Sequence, residues 1–280
     1  MKKLLFLGLF ITLLSFSNNP YNLESKSIES IKLITWNIQD LGQSKNNEEI
    51  AFIAKTLNDF DVVAIQEVVA KHPGGAQKIA QIADELNRKG SKWDYRISNP
   101  TKSPSAYMSE RYAFLWKTSK VSLKGRAFLD SELESQIIRE PFIAEFKAKH
   151  KDSTFFVVNF HSRKHNDLPE LEIVLFKEYQ KRLNSDKIII SGDFYLNEEH
   201  SVWNDFYDQG YSSAVKNSKT TLKRKCKSGD YLSHAIDNIY YSKQISFINS
   251  RVVDYIKTCE NLATARLISD HLPVALEFSL

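Results

Sequence analysis

Apolar and polar positions follow one another along this chain in short runs that share an ending. Ile188-Ile189-Ile190 is β-branched and apolar, and it passes directly into Ser191-Gly192-Asp193-Phe194-Tyr195-Leu196-Asn197. Such a run reads as a short buried strand. Gly192 is expected to turn the chain sharply at its end, so that Asp193 points at solvent from the rim of a sheet. Four further runs finish alike: Ile34-Thr35-Trp36 on Asn37, Val62-Val63-Ala64-Ile65 on Gln66-Glu67, Phe155-Phe156-Val157-Val158 on Asn159-Phe160-His161, and Leu267-Ile268 on Ser269-Asp270-His271. The recurring plan is a strand followed by a polar or ionisable tip.

In chain order, residues 27 to 36 predict a strand that ends in a turn at 37 to 42. Residues 47 to 60 carry Ile50, Ile53, Ala54 and Leu57 at helical spacing, with Asn47 as the cap. The strand at 61 to 65 completes a βαβ-type unit. A second amphipathic helix is expected over 76 to 88, then strands at 93 to 97 and 110 to 116 around a polar loop, and further β structure at 121 to 128 and 141 to 148. Arg139-Glu140 reads as a solvated surface pair. His161, after so apolar a run, is either buried and hydrogen-bonded or presented at a tip, and Arg163-Lys164 favour the tip. A helix over 169 to 183 would feed the Ile188 strand, giving a second strand-helix-strand unit. Residues 216 to 227 are polar and basic. They read as a solvated loop, or as a phosphate-facing stretch just ahead of the strand at 235 to 241. Asp237 interrupts that apolar strand, and a carboxylate so placed needs a partner. Strands at 245 to 255 and 270 to 278 close the chain.

The N-terminus adds an address. Met1-Lys2-Lys3, an apolar run from Leu4 to Phe16 and then Ser17-Asn18-Asn19-Pro20 form the pattern of a secretory signal peptide, residues 1–17. The apolar run is short for a membrane span. The expected product is one domain, residues 18–280, secreted or periplasmic. A formal charge of +4 for the whole chain argues neither for nor against a polyanionic partner. In an exported chain Cys226 and Cys259 favour a disulfide over two free thiols.

Trp36-Asn37-Ile38, Ile65-Gln66-Glu67, Ser191-Gly192-Asp193-Phe194, Ile236-Asp237-Asn238-Ile239 and Ser269-Asp270-His271-Leu272-Pro273-Val274 occur in this order across the mature chain. Together they resemble the endonuclease/exonuclease/phosphatase superfamily. Glu110-Arg111-Tyr112, Arg139-Glu140-Pro141 and Phe160-His161-Ser162 resemble segments of its deoxyribonuclease I branch. The fold implied is α/β (α+β), a four-layer sandwich of two mixed β-sheets packed face to face with helices outside and the site at one end.

The resemblance also implies roles. Glu67, helped by Asn37 and Asp270, would hold Mg²⁺, with Mn²⁺ as the alternative and Ca²⁺ as a structural ion; a Glu opposite an Asn at neighbouring strand tips suits a hard cation. Asp237 would orient His271, and Glu110 would do the same for His161. Asp193 would position or deprotonate the attacking water, while Arg139 and Tyr107 would contact the phosphate backbone. The chain departs from the pattern at Tyr195, where the family usually has an Asn that donates to the scissile phosphate, leaving Tyr195 or Asn197 as the donor. Gln39 and Val69 stand where deoxyribonuclease I sends two arginines into the minor groove, and Lys223-Arg224-Lys225 or Arg163-Lys164 are candidate replacements. The implied activity is a secreted metal-dependent phosphodiesterase, an endonuclease cutting DNA with little sequence preference, RNA being a second substrate to consider. The alternatives are a phosphoesterase for lipid or inositol phosphate head groups and a non-catalytic phosphate-binding domain. A monomer is favoured.

Overall fold

The computed structural model describes residues 29 to 280, so the expected signal peptide lies outside the described residues. Strand β1 (Ile31–Leu41) sets the plan by its parity. Ile31 and Leu33 face one apolar layer, whereas Ile34, Trp36 and Ile38 face another. Successive side chains of a strand point to opposite faces, so a strand apolar on both faces must lie between two layers. Helices α1 (Asn47–Leu57) and α2 (Gly74–Arg88) cover the outer face with Ile50, Ile53, Leu57, Ile79, Ile82 and Leu86. The cap of α1 is Asn46 rather than Asn47: its side chain accepts from Glu49 N while Glu49 reaches back to its backbone N–H.

Strands β2 (Val62–Val69), β3 (Trp93–Ile97), β4 (Glu110–Lys117), β13 (Ser246–Val252) and β14 (Val274–Ser279) complete the first sheet, in the order β13-β14-β1-β2-β4-β3. The second sheet holds β5 (Val121–Leu129), β6 (Phe142–Ala148), β7 (Thr154–His161), β8 (Ile188–Asp193), β9 (Ser212–Ser213) and β12 (Asp237–Tyr241), in the order β5-β6-β7-β8-β12-β9. β1 runs parallel to β2 and β7 to β8; the remaining pairs are antiparallel. Both sheets are therefore mixed, and both predicted crossover units are present. Leu33, Ala64, Phe114, Ala144, Phe146, Phe155, Val157, Ile189, Ile239 and Leu276 fill the layer between the sheets. Phe160, Phe176, Tyr179, Phe194 and Trp203 seal the outer face of the second sheet, joined by Phe206 of α5 (Asn204–Asp208).

Several local expectations are overturned. Residues 170 to 182 do not form one helix but two single turns, α3 (Glu170–Ile173) and α4 (Tyr179–Arg182), joined by a 3₁₀ segment. Leu267-Ile268 ends a helix, not a strand: α6 (Leu262–Ile268) delivers Ser269-Asp270-His271. The basic stretch 216 to 227 contains strand β10 (Leu222–Lys227), which pairs with β11 (Asp230–Leu232) as a separate hairpin. Gly192 makes no turn; it lies inside β8 opposite Phe160. Its φ is +147°, and a Cβ there would stand 1.8 Å from the Phe160 carbonyl oxygen, so only glycine lets the two strands approach.

Candidate active site

The same parity that fills the inter-sheet layer with apolar groups turns polar at one end of it. Continuing each inward-facing series brings Thr35 and Asn37 of β1, Gln66 of β2, Glu110 of β4, Asn159 and His161 of β7, Ser191 and Asp193 of β8 and Asp237 of β12 to that end. All nine are buried. Asp193 is 0% exposed, so it does not point at solvent from a rim; it is the floor of the site. His161 is both at a strand end and buried, 3% exposed. Glu67 has the wrong parity. A break in the β2–β4 register between Ile65 and Val68, with Glu67 at φ +59°, re-aims its side chain toward Asn37.

Two carboxylate–imidazole pairs face one another across Asp193. His271 Nδ1–H donates to both oxygens of Asp237 at 3.0 and 2.9 Å, and His161 Nδ1–H to both oxygens of Glu110 at 3.1 and 2.9 Å. A carboxylate only accepts, which fixes the proton on each Nδ1 and aims each Nε2 inward. Asp193 Oδ2 lies 3.7 Å from His161 Nε2, 3.8 Å from His271 Nε2 and 3.2 Å from Asn37 Nδ2. Its Oδ1 accepts from Tyr195 N at 3.2 Å. Burial and the Asp237 charge push the Asp193 carboxyl up to about 6 against the pull of both imidazoles. Burial pulls His271 down, but the charges of Asp237 and Asp193 outweigh it and raise it to about 10. His161 is raised on the same balance, burial against Glu110. Burial works against the charged form of Glu110, yet His161 and Arg139 hold its carboxyl below the ordinary range.

Arg139 is no solvated surface residue. Its Nε lies 3.3 Å from Glu110 Oε2 and donates to Met108 O, while Nη1 donates to Ser162 O at 2.9 Å. It therefore braces the Glu110–His161 pair from behind, and Nη2 makes none of these bonds. Its neighbour Glu140 is buried and accepts from Lys102 N. Tyr107 is 89% exposed, with Lys71 Nζ 3.2 Å from its ring centroid. Tyr195, at φ +55°, lays its ring parallel to His161, centroids 5.9 Å apart. Asn197 is exposed and lines an adjoining hollow with Tyr195, His200 and His234 rather than the floor around Asp193.

Two further hollows flank the floor. Glu67, Tyr107, Glu110, Arg139, His161 and Arg163 line one of about 560 Å³; Tyr195, Lys223, Arg224, Lys225, Asp270 and His271 line another of about 660 Å³. Basic side chains thus stand on both sides of Asp193.

The donor set near Glu67 suits a cation. Among the described residues Asn37 Oδ1 is buried without a partner, and the Glu67 oxygens accept only from Asn37 Nδ2 and Asp40 N, at 3.0 and 3.2 Å. An orphaned carbonyl beside a carboxylate fits a hard divalent ion. Asp270 follows Ser269 at the end of α6, and Ser269 Oγ donates to Asn37 O at 2.7 Å. Asp193, Asp237 and His271 also place ligand-type atoms within 4.8 Å of one another. Asp237, however, is already taken up by His271 Nδ1 and by Thr220 Oγ1 at 2.7 Å, which leaves its oxygens less open to a cation than those of Glu67 and Asn37.

The runs and motifs contain Gln66, Asn159, Tyr112 and Ser269 but assign no role to them, and these groups hold the site together. Gln66 Nε2 donates to Thr35 Oγ1 and Asn159 Oδ1, and Asn159 Nδ2 to the carbonyls of Ile65 and Ala113, so the two sheets are stitched by amides. Tyr112 OH accepts from His161 N, and Ser269 Oγ accepts from His271 N. Inward parity of polar residues on apolar strands is the signal that could have shown Gln66 and Asn159 facing one another rather than solvent. Thr220 and Ser269 lie off the strands and carry no such signal.

This architecture is shared with solved proteins. An endonuclease/exonuclease/phosphatase from Bacteroides vulgatus aligns at TM-score 0.67 with 16% identity, covering 90% of this chain and 99% of that one. The human Nocturnin catalytic domain with bound sulfate anion aligns at 0.60 and 16%, covering 89% and 93%, and a mannosyl-6-phosphatase from Bacteroides thetaiotaomicron at 0.65 and 16%, covering 89% and 100%. The chain has the endonuclease/exonuclease/phosphatase fold. No protein-family model matches it. In sequence it is 29% identical over 195 residues to a deoxyribonuclease of Thioalkalivibrio sp. (strain K90mix), a match covering 65% of this chain and 50% of that protein. The chain thus spans about half the length of the curated relative it matches.

Proposed function

We propose that this chain is a secreted, divalent-metal-dependent phosphodiesterase that cuts DNA with little sequence preference. One observation carries the reading: two imidazoles, each fixed by its own carboxylate, aim Nε2 at Asp193 Oδ2 from opposite sides, 3.7 and 3.8 Å away. The fold and the deoxyribonuclease relative support a phosphoester substrate.

Asn37, Glu67 and Asp270 would hold the cation, Mg²⁺ or Mn²⁺. When bound it supplies positive charge to a phosphate and to the charge that develops during displacement. The chain's own residues manage protons. Asp237 and Glu110 keep the Nδ1 protons in place, so that both Nε2 atoms are free to give or take one. Asp193, poised at about 6, sits where an attacking water would be oriented. One imidazole serves the water and the other the leaving oxygen. The Tyr195 hydroxyl is kept protonated by burial and by the Asp193 charge, and supplies a donor where the family's Asn would stand.

A second reading, hydrolysis of lipid or inositol phosphate head groups, is favoured by Gln39 and Val69, which bring no cation to the positions where deoxyribonuclease I uses arginine. Nicking of supercoiled plasmid by residues 18 to 280 with Mg²⁺ or Mn²⁺, with EDTA, and by His271→Ala separates these. Metal-dependent nicking lost in the variant supports the nuclease. Intact plasmid together with phosphate release from phosphoinositides would move the assignment to the second reading.

A further inference from the structure

The β10–β11 hairpin, Leu222 to Leu232, is not used by the chemistry above, and its construction is unusual for a surface loop. Its root is bonded to the His271 segment: Leu222 N donates to Asp270 O at 2.8 Å, Leu272 N to Thr220 O at 2.6 Å, and Thr221 bridges His271. Arg266 Nη1 donates to the carbonyls of Leu222 and Lys223 at 3.1 and 3.5 Å. Tyr231 OH donates to Asp254 at 2.5 Å. The far end is closed by the Cys226–Cys259 disulfide. Beneath it Leu222, Ile256, Leu262, Ala265 and Leu272 form a small apolar cluster.

On this rigid base stands a run of cations. Lys223 and Lys219 share the Asp230 carboxylate at 2.6 and 3.2 Å. Arg224, Lys225 and Lys227 pair with no carboxylate within 4.0 Å among the described residues, and all three line the hollow that contains His271 and Asp270. Neighbouring like charges repel. A freely solvated run would relax that repulsion by moving, but this one is fastened at root, middle and tip. Fixing such groups before binding removes the entropy loss of ordering them on a polyanion, and each phosphate they neutralise releases counterions.

We propose that this hairpin is a rigid electrostatic arm that holds the phosphates of duplex DNA on the His271 side of the scissile one. The proposal rests on the nuclease reading for its substrate and goes beyond it in assigning Arg224, Lys225 and Lys227 as strand-holding residues in place of groove-reading arginines.

The test is binding, measured apart from cleavage. Fluorescence anisotropy with a labelled duplex, in EDTA, compares the wild-type protein with Arg224→Gln/Lys225→Gln/Lys227→Gln across a salt series, with thermal melting as the control for folding. The expected result is an unchanged melting temperature, affinity down by about tenfold or more near physiological salt, and a log K against log salt slope shallower by roughly 0.9 for each phosphate no longer neutralised. Equal affinity and equal slope would overturn the proposal. So would a loss of binding to anionic phospholipid vesicles with none to duplex. Plasmid nicking by the wild-type protein is read separately: failure there with salt-dependent, hairpin-dependent duplex binding removes the nuclease reading and leaves the arm standing.

Discussion

Glu110 and Asp237 both orient an imidazole, yet the structure gives them different second duties. Asp237 is flanked by the neutral Thr220 hydroxyl, whereas Glu110 also neutralises Arg139, whose Nε is 3.3 Å away and whose side chain is largely buried. Glu110→Gln therefore leaves a guanidinium buried beside a histidine with no anion between them. Breaking a buried ion pair by removing one partner costs about 3–5 kcal/mol. Asp237→Asn keeps an oxygen for His271 Nδ1–H but loses the acceptor of the Thr220 hydroxyl. The imidazole, unlike the Arg139 guanidinium, can shed its proton once the anion is gone, so no buried charge is stranded. The cost is that of the weakened hydrogen bonds to His271 and Thr220, about 1–2 kcal/mol. For a chain of this size 1 kcal/mol moves the melting midpoint by about 2–4 °C. Glu110→Gln should thus melt on the order of 10 °C lower and Asp237→Asn only a few degrees lower.

Activity should not follow stability. Both substitutions remove the charge that supports an imidazole taking part in proton transfer, and both should lower the nicking rate by about 10²–10⁴-fold. Adding Arg139→Gln to Glu110→Gln should recover most of the melting temperature and none of the rate, because the buried charge is gone while His161 remains unsupported. Differential scanning calorimetry and initial nicking rates on the four proteins decide it. If Asp237→Asn melts as low as Glu110→Gln, or the double variant is no more stable than the single, the bracing role assigned to Arg139 is wrong. If either single variant keeps its rate within tenfold, its carboxylate does not serve the chemistry.

Three further outcomes are expected. Nicking should stop in EDTA, and Glu67→Gln should raise the Mg²⁺ concentration giving half-maximal rate by about tenfold or more through loss of a charged ligand; an unchanged metal titration would remove Glu67 from the cation site. Gly192→Ala should yield little folded protein, since its Cβ would meet the Phe160 carbonyl at 1.8 Å and φ is +147°, a strain of about 4 kcal/mol or more; a variant melting near wild type would show that the strands can part there. Replacing both Cys226 and Cys259 by alanine should lower stability by about 2–5 kcal/mol and weaken duplex binding; unaltered binding would mean the hairpin holds its place without the staple.

Residue pattern carries the sandwich and most of the floor because both rest on strand parity. Asn37, His161 and Asp193 are legible as polar ends of apolar runs, Asp237 as a carboxylate interrupting one, and the βαβ units as runs of two periods in turn. What escapes is set by tertiary contact. A strand end is normally solvated, so Asp193 reads as exposed, but here a second sheet closes over it. Glu67 reaches Asn37 only through a break in register that leaves no mark on hydropathy. Residues 170 to 182 carry helical spacing, yet Phe176 and Tyr179 are drawn down onto the second sheet and the helix is broken into turns. The β10 strand is nearly all lysine and arginine, with no alternation to betray it, and stands because Cys259 and Arg266 hold it from outside.

That division bears on how the site tolerates change. Inward parity forces the sheets to devote the end of their shared layer to polar groups, and a polar layer between sheets is stable only if each member is satisfied. Gln66 and Asn159 pair with each other, and Asn159 also satisfies backbone carbonyls; Thr220 satisfies Asp237, Ser269 the Asn37 backbone carbonyl, and Arg139 Glu110. Among the described residues Gln66 Oε1, Asn37 Oδ1 and His161 Nε2 are buried without a partner, and the last two belong to side chains that reach Asp193. The unmet hydrogen-bonding capacity of Asn37 and His161 lies where a cation and a phosphate would supply it.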